Sequence, residues 1–210
     1  MTSFIVLVFQ LSILIMSVVI HEFSHGWMAW YLGDKTAEYY GRLTLNPLKH
    51  LDFFGSFIVP LSLYFLTGGR FVFGWAKPVP YNPNNLRDQK YGSAKVAAAG
   101  PAANLLIASI FGFSLRFLPA ANVALYEIFS LIAVINIALA VFNLIPIPPL
   151  DGSKIFFGFL PYPLKNLRAF LERYGFLILL LAIFLGLDFW FIPLISFIFR
   201  FFAGRGMPFL

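Results

Sequence analysis

Residues 4–31 read FIVLVFQLSILIMSVVIHEFSHGWMAWY. No charge precedes His21 in this stretch, and at 1.5 Å per residue a helix of this length runs about 42 Å, enough to cross a bilayer. Near its C-terminal end stands His21-Glu22-Phe23-Ser24-His25. Positions four apart share a helix face, so both imidazoles can point at one metal ion, with Glu22 beside them to take a proton from water there. Ionisable groups at membrane depth are costly, and those kept there are candidates for function. The stretch therefore decides the fold class: an α-helical polytopic membrane protein whose chemistry lies inside its helix bundle.

Composition agrees. The chain is 60% hydrophobic and 11% charged, against about 25% charged in a soluble domain. A net charge of +6 points to membrane topology rather than nucleic acid, because the basic residues are spread along interfacial loops. With no Cys, disulfides and Cys-ligated zinc are excluded. The first twenty residues lack a basic start and run into the histidine motif, so they do not read as a cleavable leader.

Residues 1–210 read as a single integral-membrane domain. Its apolar segments are 4–31, 53–67, 94–118, 125–147 and 174–202. The last is broken by Gly186-Leu187-Asp188, and is either one tilted helix or two short ones. Segment 53–67 is short and carries Pro60, so it should dip in and return, or lie in the interface. Parity requires this: a metal site shared with the end of segment 125–147 puts residues 31, 93 and 148 on one side. The architecture expected is four to six membrane segments with a small β-hairpin at the interface. Thr36–Leu45 and Arg70–Tyr81 read as extended, and an exposed strand edge could hold a substrate stretch by adding a strand. Lys and Arg gather on the motif side, with Arg116 alone in the far loop, which places that side in the cytoplasm of a multi-pass cell-membrane protein.

A catalytic zinc takes three protein ligands and leaves one position open. Among the candidates for the third, Asp151 stands out. It follows Asn143-Leu144-Ile145-Pro146-Ile147-Pro148-Pro149-Leu150, where prolines break a helix at membrane depth. His50 is the rival, and its polar loop better suits an interfacial or gating role. A Glu such as Glu172 is a further alternative. Asn143 is placed to bond substrate backbone or a developing oxyanion. Asn104 either packs against the motif helix or orients a ligand, and Asn136 reads equally as interhelical glue. Gly100-Pro101 reads as a helix start.

Together, His21-Glu22-Phe23-Ser24-His25 and Asn143 through Asp151-Gly152 resemble the site-2 protease family of intramembrane zinc metalloproteases, in its compact prokaryotic form. Gly41–Asp52, Phe73–Pro80 and Ala99–Asn104 resemble it as well, and the likeness covers roughly residues 15 to 155. The resemblance implies one zinc held by His21, His25 and Asp151, with Glu22 as general base. It implies that the Asn143–Gly152 segment, with Pro146 and Pro148, helps to hold the substrate; Asn104 is counted with these residues. The implied partners are the lipid bilayer and a transmembrane protein substrate, cut in or near its membrane segment. A zinc transporter or an inactive metal-binding scaffold is the competing reading. Glu22 argues against the scaffold, and clustering at one depth argues against a transport path.

Overall fold

The computed structural model describes residues 2–67, 74, 76–119, 122–160, 164–186 and 188–208. It is helical, with α1 (Thr2–Tyr31), α2 (Thr36–Tyr39), α3 (Val59–Thr67), α4 (Gly92–Ser114), α5 (Val123–Asn143), α6 (Asp151–Phe159), α7 (Lys165–Phe184) and α8 (Asp188–Ala203). Among the described residues three helices are long and apolar enough to span a membrane: Val8–Tyr31 of α1, then α4 and α5.

Helix α4 is the centre, packed along α5 on one side and α1 on the other. Its buried face is rich in small residues, among them Ala94, Ala97, Gly100, Ala108 and Gly112, which let neighbouring backbones come close. A Cβ on Gly112 would stand 2.6 Å from Phe202 Cβ, so α8 seats there only because Gly112 has none. Ala108, Leu115, Ala133, Ile137, Val141, Phe199 and Ala203 form the core that joins α4, α5 and α8. The helix runs through Pro101 rather than starting there, as the sequence suggested. Pro101 withholds one N–H from the helix ladder, a loss that a membrane helix buried in its bundle tolerates.

The polar cap after α1 departs from expectation. Among the described residues there is no β-ladder, so the interfacial β-hairpin is not found. In Thr36–Leu45, read as extended, the Asp34 carboxylate accepts from Thr36 N (3.2 Å) and Thr36 Oγ1 (2.6 Å) and starts a helical turn. Gly41, at φ +62°, ends it, with Arg42 N donating to Ala37 O. Local side-chain bonding has won over β-propensity. Of Arg70–Tyr81, residues 70–73 and 75 lie outside the described residues, and 76–81 has no regular secondary structure and no strand partner. Segment 53–67 is helical but too short to span. Region 174–202 is two helices, α7 and α8, separated at Gly186 with φ +85°.

Candidate metal centre

His21 and His25 lie one turn apart on α1, near its end. Asp151 is the first residue of α6, held there by the turn after α5. Leu144 N donates to Ala140 O and Leu150 N to Ile147 O, and Ser153 Oγ closes back on Leu150 O at 2.7 Å. Gly152 is essential to that turn, because a Cβ there would collide with the carbonyls of Leu144 and Ile145. The sequence Asp-Gly thus lets α6 begin against the preceding loop with Asp151 facing α1.

Three ligand atoms meet. His21 Nε2 and His25 Nε2 lie 3.0 and 3.1 Å from the same Asp151 Oδ2, and all three residues are more than nine-tenths buried. The rings are held from behind. His25 Nδ1 donates to the Val96 carbonyl at 2.7 Å, and His21 Nδ1 faces Asn104 Oδ1 at 2.6 Å. A carbonyl only accepts, so the proton of His25 sits on Nδ1 and its Nε2 presents a lone pair. Two imidazole nitrogens and a carboxylate oxygen then face one another, an arrangement that a cation can bridge. The donor set is that of a divalent zinc-type ion. Gly100 completes the cradle: a Cβ there would lie 2.5 Å from His25 Nε2 and 2.6 Å from His21 Nε2. The space in front of the rings is kept clear, and the residues fit the metal.

Glu22 lines the same cavity, of about 960 Å³, with its Oε2 accepting from Val79 N at 3.0 Å. Asn143 and Pro148 also line it, Asn143 with one amide hydrogen already given to Leu139 O. Two residues grouped with the substrate do not lie there. Asn104 is fully buried with both ends of its amide engaged behind His21, and Pro146 is exposed on the turn, off the cavity wall. His50 is buried elsewhere, its Nε2 on Thr44 O and its carbonyl accepting from Lys77 N. Glu172 reaches the cavity wall but pairs with Arg168 at 2.8 Å. Among the described residues, His21, His25 and Asp151 are the one cluster able to hold a metal ion. The Val96 carbonyl, the Val79 N–H and the role of Gly100 escape sequence reading, because backbone groups and an absent side chain leave no chemical signature.

Comparison with known proteins follows the same lines. A family model described as peptidase family M50 matches residues 118–183, the stretch holding α5 and Asp151. "Putative zinc metalloprotease YwhC" of Bacillus subtilis is 37% identical over 175 residues, covering 80% of this chain and 76% of that protein. "Putative zinc metalloprotease Rip2" of Mycolicibacterium smegmatis is 32% identical over 189 residues, covering 89% and 71%. "Putative zinc metalloprotease MJ0611" of Methanocaldococcus jannaschii is 30% identical over 157 residues, covering 73% and 72%. No solved structure gives a significant match.

Proposed function

Because this chain belongs to peptidase family M50, we propose that it is a membrane-embedded zinc metalloprotease cutting peptide bonds in or near transmembrane segments of other membrane proteins. The observation that carries the reading is the meeting of His21, His25 and Asp151 around one point, with Glu22 on the same cavity wall. Residues 1–210 act as one membrane domain in the cell membrane, with the motif side toward the cytoplasm. The charge distribution supports that orientation. No observation favours a transporter, since the metal-competent groups gather at one point rather than along a path.

His21, His25 and Asp151 would hold the zinc, which when bound supplies a Lewis acid that polarises the scissile carbonyl and makes water acidic. Glu22 takes the proton of the attacking water and returns it to the leaving amine. Asn143 and Pro148, on the cavity wall, meet the substrate backbone. Burial of the cluster under α4 and α6 limits water to what enters the cavity.

The test is hydrolysis of a single-pass membrane substrate by the full chain in proteoliposomes. Glu22→Gln should lower turnover by about 10²–10⁴-fold and keep a full complement of zinc. Undiminished turnover in that variant would remove Glu22 from the reaction and the reading with it.

A further inference from the structure

Behind His21 lies a chain of buried polar groups that runs through three helices. Ser17, Asn104 and Asn136 come from α1, α4 and α5, and all are buried. Asn104 Nδ2 donates to the Ser17 carbonyl at 3.2 Å and to Asn136 Oδ1 at 2.8 Å. Asn136 Nδ2 donates to the Ile132 carbonyl and to Ser17 Oγ, each at 2.9 Å.

The direction of every bond in this chain follows from its ends. The Ile132 carbonyl can only accept, so it fixes which end of the Asn136 amide is nitrogen. Asn136 then shows its oxygen to Asn104. With that oxygen and the Ser17 carbonyl both accepting, Asn104 must turn its nitrogen toward them and its oxygen toward His21. Rotating the Asn104 amide would set oxygen against oxygen at two buried contacts and leave both groups unpaired. Facing an oxygen, His21 Nδ1 carries the proton, and the Nε2 lone pair is left free on the side of Asp151.

We propose that Ser17 and Asn136 are positioning residues for the metal centre: they lock the Asn104 amide, and through it the tautomer and ring orientation of His21. The proposal rests on His21 being a metal ligand. Interhelical glue would have a different consequence, stabilising the bundle without altering how tightly the metal is held. Outer groups that orient a ligating histidine change metal affinity.

The experiment measures zinc affinity of the purified full chain by competition with a chromophoric chelator, with the visible absorption of the Co²⁺-loaded protein as a second readout. Asn136→Leu should weaken zinc about 10–100-fold and alter the cobalt spectrum. Asn104→Leu should do the same, and the double variant should lose no more than the worse single one, since both act by one path. Ser130→Ala, a buried change on the same helix outside the chain of bonds, should alter neither readout. The proposal is overturned if Asn136→Leu matches wild type, if Ser130→Ala weakens zinc equally, or if the two asparagine losses multiply. Should Asn136→Leu not fold, Ser17→Ala carries the test: a smaller loss in the same direction supports the relay, and unchanged affinity overturns it. Wild type that binds zinc no better than His21→Ala would overturn the metal-site reading and the relay with it. Tight, His21-dependent binding that ignores Asn136→Leu overturns the relay alone.

Discussion

At Gly100 a missing side chain does chemical work. The Nε2 atoms of His21 and His25 stand where an alanine methyl would be. Elsewhere in a helix, Gly→Ala stabilises by up to about 1 kcal/mol. Here the methyl enters the ligand space and that gain is lost to the clash, so in Gly100→Ala protein that still folds, zinc content, measured by elemental analysis, should fall at least tenfold. Normal zinc content would mean that the rings move aside freely and that Gly100 is no cradle. This residue also marks where sequence reading runs out. His21, His25 and Asp151 were legible as a cluster able to hold a metal ion, because helix spacing and a proline-broken turn give them recognisable positions. Gly100 was legible only as part of a helix start, and Asn104 was grouped with the substrate because a linear chain does not show which way an amide faces. Its full burial behind His21 decides that.

Among the elements, the irregular strap 76–81 connects most directly to the chemistry. Pro78 and Pro80 have no N–H to give, so in Pro78-Val79-Pro80 the one backbone donor is Val79, and it is spent on Glu22. Lys77 N is likewise committed, to His50 O. The strap was expected to offer free strand donors to a substrate. Instead, two of its donors are tied within the protein, and the prolines stiffen it in that pose. Val79→Pro removes the bond to Glu22 and should reduce turnover roughly 10–150-fold, the loss of one charge-assisted hydrogen bond of about 1.5–3 kcal/mol, with zinc retained. Equal turnover in steady-state cleavage would show that Glu22 needs no such partner.

The strap is anchored at Asp34, which is fully buried and joins α1 to the loop before α4. Burial pushes its carboxyl up, but the Thr36 hydroxyl, the Asn85 amide and the backbone N–H groups of Asn82 and Thr36 outweigh this and hold it below the usual carboxylate range. A carboxyl whose folded pKa is depressed adds stability above its unfolded pKa, near 3.9, and loses it as pH falls through the folded value. Asp34→Asn should therefore melt lower than wild type at pH 7, with the gap narrowing as pH drops below about 4. A gap independent of pH would assign the loss to geometry rather than charge. The Asp34 hub was invisible beforehand, because two of its four bonds come from Asn82 and Asn85, some fifty residues along the chain, and only folding brings them to one carboxylate.

For the whole molecule, Arg116 constrains the path that the chain can take through a bilayer. It follows the C-terminal end of α4, on the side away from the metal cluster, and donates from Nε to Phe202 O at 2.7 Å and from Nη2 to Phe201 O. These are last-turn carbonyls of α8, groups a helix leaves unpaired and a cation suits. The end of α8 therefore lies level with the far end of α4. Asp151 is on the opposite side, so the chain between 151 and 202 crosses an odd number of times, and α7 and α8 do not form a simple two-span hairpin. With α1, α4 and α5 each crossing once and residues 32–91 returning to the side they left, the smallest consistent count is four crossings, with residues 2 and 202 both on the side away from the metal cluster. Helix α8 has 16 residues, about 24 Å of the roughly 30 Å hydrocarbon thickness, so it makes the last crossing only with help from its neighbours, and Arg116 supplies one such hold. Because the chain has no cysteine, single introduced thiols report without interference. In intact cells an impermeant maleimide should label Phe117→Cys and Gly206→Cys, and should reach Lys90→Cys and Lys154→Cys only after the membrane is opened. Labelling of Gly206→Cys solely in opened cells would separate α8 from Arg116 and reverse this path. Labelling of Lys154→Cys in intact cells would put the metal cluster outside and overturn the orientation drawn from charge.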